Sequence, residues 1–256
     1  MCTILFAWQQ DEQYPLVLAA NRDEFYERPT QRVHWWEDQP HVYAGRDLKG
    51  GGTWMGANKY GFWAALTNYR EVEGFIPDAP SRGPLVADYL VHSPEPQSYL
   101  ESILPNASSY NGFNLLLGTP DEIWYYANRD GVTPQKLLPG FYGLSNRILD
   151  TPWPKVQSGK AGLKEIVSNH QSDPDALFQM LHNSEIAPDE QLPATGVSLE
   201  WERLLSARFI INDAYGTRVS TVIRQNIEKQ LEYEERAFVP QGEPLKEIIE
   251  PKTINT

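Results

Sequence analysis

Met1-Cys2-Thr3-Ile4-Leu5-Phe6-Ala7-Trp8 is followed by the polar Asp11-Glu12-Gln13, by Leu16-Val17-Leu18-Ala19-Ala20, and by Asn21-Arg22-Asp23-Glu24. Two runs of β-formers around a polar break predict an antiparallel hairpin. Folding back about that turn pairs residues whose numbers sum to roughly 24 or 25, which sets Cys2 opposite Arg22 and Asp23. Cys2 is the only cysteine of the chain. Methionine aminopeptidases act when the second residue is small, so loss of Met1 would put a free α-amine on the residue that carries the thiol. An α-amine with a reference pKa of roughly 7.7–8.0 can take the thiol proton near neutral pH, and the thiolate is the nucleophilic form. A guanidinium opposite the thiol favours the thiolate, and a carboxylate beside an α-ammonium would hold and orient it. Arg22 and Asp23, as neighbours on one regular strand, point to opposite faces. Retention of Met1 would block the α-amine.

Outward from this hairpin, Thr53-Trp54-Met55-Gly56 and Phe62-Trp63-Ala64-Ala65-Leu66-Thr67 flank the turn-like Asn58-Lys59-Tyr60-Gly61 and predict a second hairpin, which delivers Asn68 to a strand end. Pro84 marks the first turn of a helix running through Leu85–Leu90. Further helices are expected over about 94–104, 154–169 and 174–183, the last capped by Ser172 or Asp173. Strands are expected at Phe113–Leu117, Ile123–Tyr126, Phe209–Ile211, Val219–Ile223 and Leu231–Tyr233, with an irregular tail over 241–256. Strands, then helices, then strands suit an α+β sandwich better than an alternating parallel fold.

The 256 residues carry a net charge of −12, which argues against nucleic acid or an anionic membrane surface as partner, because both need a basic footprint. A single cysteine excludes an intramolecular disulfide, and neither a signal segment nor an apolar run long enough for a membrane span is present. The expectation is a cytoplasmic protein. Lys49-Gly50-Gly51-Gly52-Thr53 has the letters of a phosphate loop in the wrong order. Its glycines could let backbone approach closely instead. His34, His41, His92, His170 and His182 lack metal-ligand spacing, so no metal and no cofactor are expected.

Several blocks together carry a family resemblance. Met1-Cys2-Thr3-Ile4 with Asn21-Arg22-Asp23-Glu24, then Asp47 through Gly56, Leu66-Thr67-Asn68-Tyr69-Arg70, Ser81-Arg82-Gly83, Gly143-Leu144-Ser145-Asn146 and Gly216-Thr217-Arg218 resemble the NRDE family, which includes the transport and Golgi organisation protein 2 group. The likeness covers residues 1 to about 240, read as one domain. The resemblance extends to N-terminal nucleophile hydrolases and implies a four-layer αββα sandwich, two antiparallel sheets flanked by helices. By likeness to their cysteine amidohydrolases, Cys2 would be the nucleophile and Arg22 its arginine, Asn68 an oxyanion donor, and Asn146 and Arg218 a second asparagine and a distal arginine. Those enzymes carry an acid three residues after the arginine, where this chain has Phe25; its own acids are Asp23 and Glu24.

Two functions follow. One is an N-terminal cysteine amidohydrolase that cleaves the C–N bond of a small acyl amide, with Cys2, Arg22, Asp23, Asn68, Asn146 and Arg218 as its site. Two arginines at one apolar-walled cleft would favour a carboxylate ligand. The other is a binding or transfer protein on the same fold, since the resemblance also implies haem mobilisation and lipid or acyl-CoA handling. His34 or His41 would then be haem ligands. In either case Trp35, Trp36 and Trp54 are candidates to line a pocket for a flat or acylated small molecule.

Overall fold

The computed structural model describes residues 1–246 and 249–254. The chain begins with strands Cys2–Trp8 (β1), Leu16–Phe25 (β2), Thr30–Trp35 (β3), Val42–Asp47 (β4), Met55–Asn58 (β5) and Trp63–Asn68 (β6). Helices Gly83–His92 (α1) and Pro96–Ile103 (α2) precede strands Phe113–Gly118 (β7), Ile123–Ala127 (β8), Gln135–Lys136 (β9) and Gly140–Leu144 (β10). Helices Pro154–Ser168 (α3), Pro174–Leu181 (α4) and Leu199–Ser206 (α5) lead to strands Tyr215–Gln225 (β11), Leu231–Ala237 (β12) and Lys252–Ile254 (β13). The architecture is α+β, with two antiparallel sheets.

One compact unit is built on Met1–Arg28, Pro139–Ser145 and Leu149–Thr253. Its sheet runs β10-β1-β2-β11-β12-β13, so the two termini of the chain supply the middle and one edge. Alternation along β1 and β2 turns Leu5, Ala7, Val17 and Ala19 to one face, where they pack with Leu163 and Val167 of α3 and Leu177, Phe178 and Leu181 of α4. Proline begins both helices, where its missing N–H costs nothing, and Asp173 caps α4 by accepting from the Ala176 N–H.

The second unit is built on Pro29–Leu138 and Asn146–Ile148. Its strand order is β3 to β9 in sequence, a meander. Helices α1 and α2 bury Leu85, Val86, Tyr89, Leu90 and Leu100 against Val42, Ala64, Leu115 and Leu117. A Cβ at Gly52 would lie 2.2 Å from the Gly83 carbonyl carbon, so the glycine run is where loop backbone meets the start of α1.

Four differences from the sequence expectation have physical causes. Residues Phe209 and Ile210 are fully buried yet form no strand, because their N–H groups go to the Asn183 carbonyl and the Thr217 hydroxyl instead of to a ladder. Helix α5, capped by Ser198, was not expected, since its apolar face is short and its sequence rich in charge. Strands β3 and β4 carry mixed polarity that hides their period. The segment after residue 240, expected to be irregular, contributes β13 to the sheet edge beside β12.

Candidate functional site

Strand β1 pairs with β2 in the register Cys2↔Arg22, Thr3↔Asn21, Ile4↔Ala20. Directly opposed residues share a face. Cys2 and Arg22 therefore lie together, both buried, on the face turned away from α3 and α4. Arg22 is 3.8 Å from Glu24, which also lies 3.8 Å from Arg28. Asp23 has the opposite parity and belongs to the helix face, as does Asn21, whose amide donates to the carbonyls of Leu181 and Arg208. Asp23 is 1% exposed; its Oδ1 accepts from the Thr217 hydroxyl at 2.7 Å, while Oδ2 has no hydrogen-bond partner. Strand β11 supplies that threonine through the pair Thr217↔Asp23, then shifts register so that Val219 faces Arg22 and Arg218 is the bulged residue. The Ser145 hydroxyl donates to the Cys2 carbonyl at 2.9 Å and secures β1 from its β10 side.

Met1 completes the strand end. Its ammonium donates to the Asp23 carbonyl at 2.5 Å and to the Tyr215 hydroxyl at 2.8 Å, and its own carbonyl accepts from the Asp23 N–H at 2.7 Å. With Met1 attached, the nitrogen of Cys2 is an amide and cannot act as a base.

Burial dominates the electrostatics. It pushes the Cys2 thiol up from its ordinary value; the Met1 ammonium, Arg22 and an Asp23 backbone hydrogen bond oppose it, while the Asp23 charge adds to it. Burial likewise lowers the Met1 amine. It raises the Asp23 carboxyl, with Lys155 the largest opposing influence, followed by the N-terminal ammonium and the Thr217 hydroxyl. Lys155, at the start of α3, is itself buried.

Arg218 donates from Nη1 to the carbonyls of Phe25, at 3.2 Å, and Arg28, at 2.5 Å. Burial, then the nearby Arg22 charge, lowers its pKa, so the two guanidinium groups are electrostatic neighbours. In the second unit Asn68 and Asn146 meet: the Asn146 amide donates to the Asn68 carbonyl at 2.8 Å, and the Asn146 carbonyl accepts from the Arg70 N–H at 2.7 Å.

The three tryptophans divide. Trp36, a candidate pocket residue, is instead buried in the core with α1, and its indole N–H donates to the Ala44 carbonyl. Trp35 is half-buried against Tyr43, and Trp54 is half-buried at the start of the second hairpin. His34 Nδ1 is 2.8 Å from the Arg32 carbonyl and His41 Nε2 is 3.0 Å from the Val91 carbonyl. Among the described residues no group of three or more His, Cys, Asp or Glu could hold a metal ion, and no helix is long and apolar enough to cross a membrane.

Lys155, Tyr215 and Ser145 were not singled out in the sequence. Thr217 and Ser145 do lie in blocks shared with the resembled family. Gly216 explains its own block, because a Cβ there would lie 2.5 Å from the Tyr26 hydroxyl and 2.8 Å from the Ile210 carbonyl oxygen. Lys155 and Tyr215 left no local signal.

A family model described as Transport and Golgi organisation 2 matches residues 1–240. The chain is 37% identical over 261 residues to the Transport and Golgi organization protein 2 homolog of Bos taurus, covering 93% of this chain and 94% of that protein. It is 32% identical over 281 residues to Transport and Golgi organization protein 2 of Drosophila melanogaster, covering 98% of each. Among solved structures, an N-acylethanolamine-hydrolyzing acid amidase ortholog of Caenorhabditis elegans superposes with a TM-score of 0.50 at 11% identity, covering 87% of this chain and 92% of that one. A mutant conjugated bile acid hydrolase from Clostridium perfringens superposes with a TM-score of 0.51 at 9% identity, covering 100% and 92%. At such identities the likeness concerns the fold, which is that of the N-terminal nucleophile hydrolases.

Proposed function

The chain belongs to the Transport and Golgi organisation 2 family, and from that premise we propose that it is an N-terminal cysteine amidohydrolase, active once Met1 has been removed, that cleaves a small acyl amide. The observation that carries this proposal is the Cys2↔Arg22 register, which buries thiol and guanidinium side by side at the end of β1 and β2. Arg22 also pairs with Glu24 at 3.8 Å, and its charge beside the thiol favours the thiolate against burial.

In the proposed reaction the Cys2 thiol gives its proton to the α-amine of the same residue, and the sulfur attacks the amide carbonyl carbon. The tetrahedral intermediate collapses with cleavage of the C–N bond, and the α-ammonium returns a proton to the leaving amine. Water, deprotonated by the α-amine, then hydrolyses the thioester and regenerates the thiol. Arg22 and Arg218, electrostatic neighbours in one unit, suit a substrate that bears a carboxylate. The test is hydrolysis of a panel of acyl anilides by protein beginning at Cys2, compared with its Cys2→Ser variant. Turnover that falls by about 10⁴ or more in the variant supports the proposal; equally poor turnover by both overturns it.

One observation favours the second reading, a binding or transfer protein for haem or an acyl lipid. While Met1 is retained its amine is engaged by Asp23 and Tyr215, and the thiol is held protonated. The Met1-bearing form would bind without turning over.

A further inference from the structure

Met1 is held as a ligand is held. Its ammonium meets two acceptors, the Asp23 carbonyl at 2.5 Å and the Tyr215 hydroxyl at 2.8 Å, and Tyr215 donates in turn to the same carbonyl at 3.2 Å. Its carbonyl has a donor in the Asp23 N–H. Its side chain packs on the apolar cluster of Leu205, Ala207, Ile210 and Tyr215, at the end of α5 and the start of β11. The Tyr215 ring is fixed by edge contacts with Phe25, at 5.0 Å, and Trp201, at 5.4 Å between centroids, both partly exposed. Asp23 and Glu24 add negative charge felt at the amine, against Arg22.

We propose that this cradle is a recognition subsite for a free ligand with a primary ammonium, an adjacent carbonyl and an unbranched apolar chain, the class to which α-amino acyl amides belong. The inference rests on the reading above that Met1 is removed in the active protein, which empties the cradle beside Cys2. Each receptor belongs to the scaffold and not to Met1 itself: two backbone groups of Asp23 in β2, a hydroxyl in β11, and side chains of α5 and the segment after it. Neutral oxygen acceptors, with the Asp23 and Glu24 charges near the amine, accept an ammonium. An acetylated amine would lose the charge and keep a single N–H for the two acceptors, and it would bring an acetyl group against them.

The test uses two forms of the full chain, one released by cleaving a removable fusion directly before Cys2 and one retaining Met1, with both masses verified. Each is titrated calorimetrically with L-methioninamide and with N-acetyl-L-methioninamide. The form starting at Cys2 should bind methioninamide at least tenfold more tightly than the acetylated amide, and the Met1 form should bind neither. Tyr215→Phe, which keeps the ring and its packing, should weaken methioninamide binding by about five- to tenfold. Absence of methioninamide binding to the form starting at Cys2, equal binding of the two amides, or equal binding by the two forms would overturn the subsite. If the form starting at Cys2 hydrolyses other acyl amides but ignores methioninamide, the subsite fails and the hydrolase reading stands. Binding of methioninamide without turnover of any amide supports the subsite and sinks the hydrolase reading.

Discussion

The hairpins β1–β2 and β5–β6 both end in polar residues, but on opposite electrostatic plans. The β5–β6 end is tied mainly by neutral amides: Asn146 donates to Asn68, and nearby Asn114 bridges Thr67 and Tyr125, although Arg70 is also buried beside them. The β1–β2 end buries a thiol, a guanidinium, a carboxylate and an ammonium, with Lys155 close behind. Buried amides with their hydrogen bonds made are cheap, whereas buried charges cost several kcal/mol unless paired. A strand end that served the fold alone would follow the first plan. The difference is the one that the proposed chemistry at β1–β2 calls for.

Lys155→Met should expose that cost most. It removes the largest influence that favours a charged Asp23, and it should destabilise the protein by about 3–5 kcal/mol at neutral pH in urea titrations. The sign follows from linkage. Asp23 titrates above its reference value of 3.8 in the fold, and the variant raises it further, so the native state binds the proton more tightly than the unfolded chain. Stability of the variant relative to the parent should therefore recover as pH falls through the carboxylate range toward 3.8. A loss independent of pH would make Lys155 a packing residue. Thr217→Val removes the donor to Asp23 Oδ1 and the acceptor for the Ile210 N–H; about 1–3 kcal/mol should be lost, with the larger loss at neutral pH. Asn146→Ala, on the neutral plan, should cost about 1 kcal/mol, and the same amount from about pH 5 to pH 9. A pH-dependent cost there would erase the contrast between the two ends. The mildest effect is on the thiol of Met1-bearing protein. Its thiolate absorbance should appear above the reference value of 9.0, and Arg22→Met should move it higher still. Because the fold holds this proton while the unfolded chain releases it, stability should fall as pH rises past 9.0.

The register of the first hairpin was legible because two β-rich runs around one short polar break leave little freedom, and Cys2 does face Arg22. Strand alternation also anticipated that Arg22 and Asp23 separate onto two faces. What the sequence hid is long-range. Tyr215 and Thr217 reach Asp23 across more than 190 residues, and Lys155 arrives on a helix whose packing is set by Leu163 and Val167. The bulge falls on β11 at Arg218, where pairing with β2 decides it and no local residue does. Trp36 misled because neighbouring polar residues concealed a strand whose end turns inward to α1. The run Phe209–Ile211 misled because burial without a ladder has the same composition as a strand.

The central claim, that release of Met1 turns Cys2 into an activated nucleophile, is tested most directly by intact mass after exposure to an alkyl β-lactone at neutral pH. Protein that begins at Cys2 should gain one acyl group, located on the N-terminal peptide, in the time that Met1-bearing protein gains none. Equal labelling of the two forms, or no acyl group on Cys2 once its amine is free, would contradict the account.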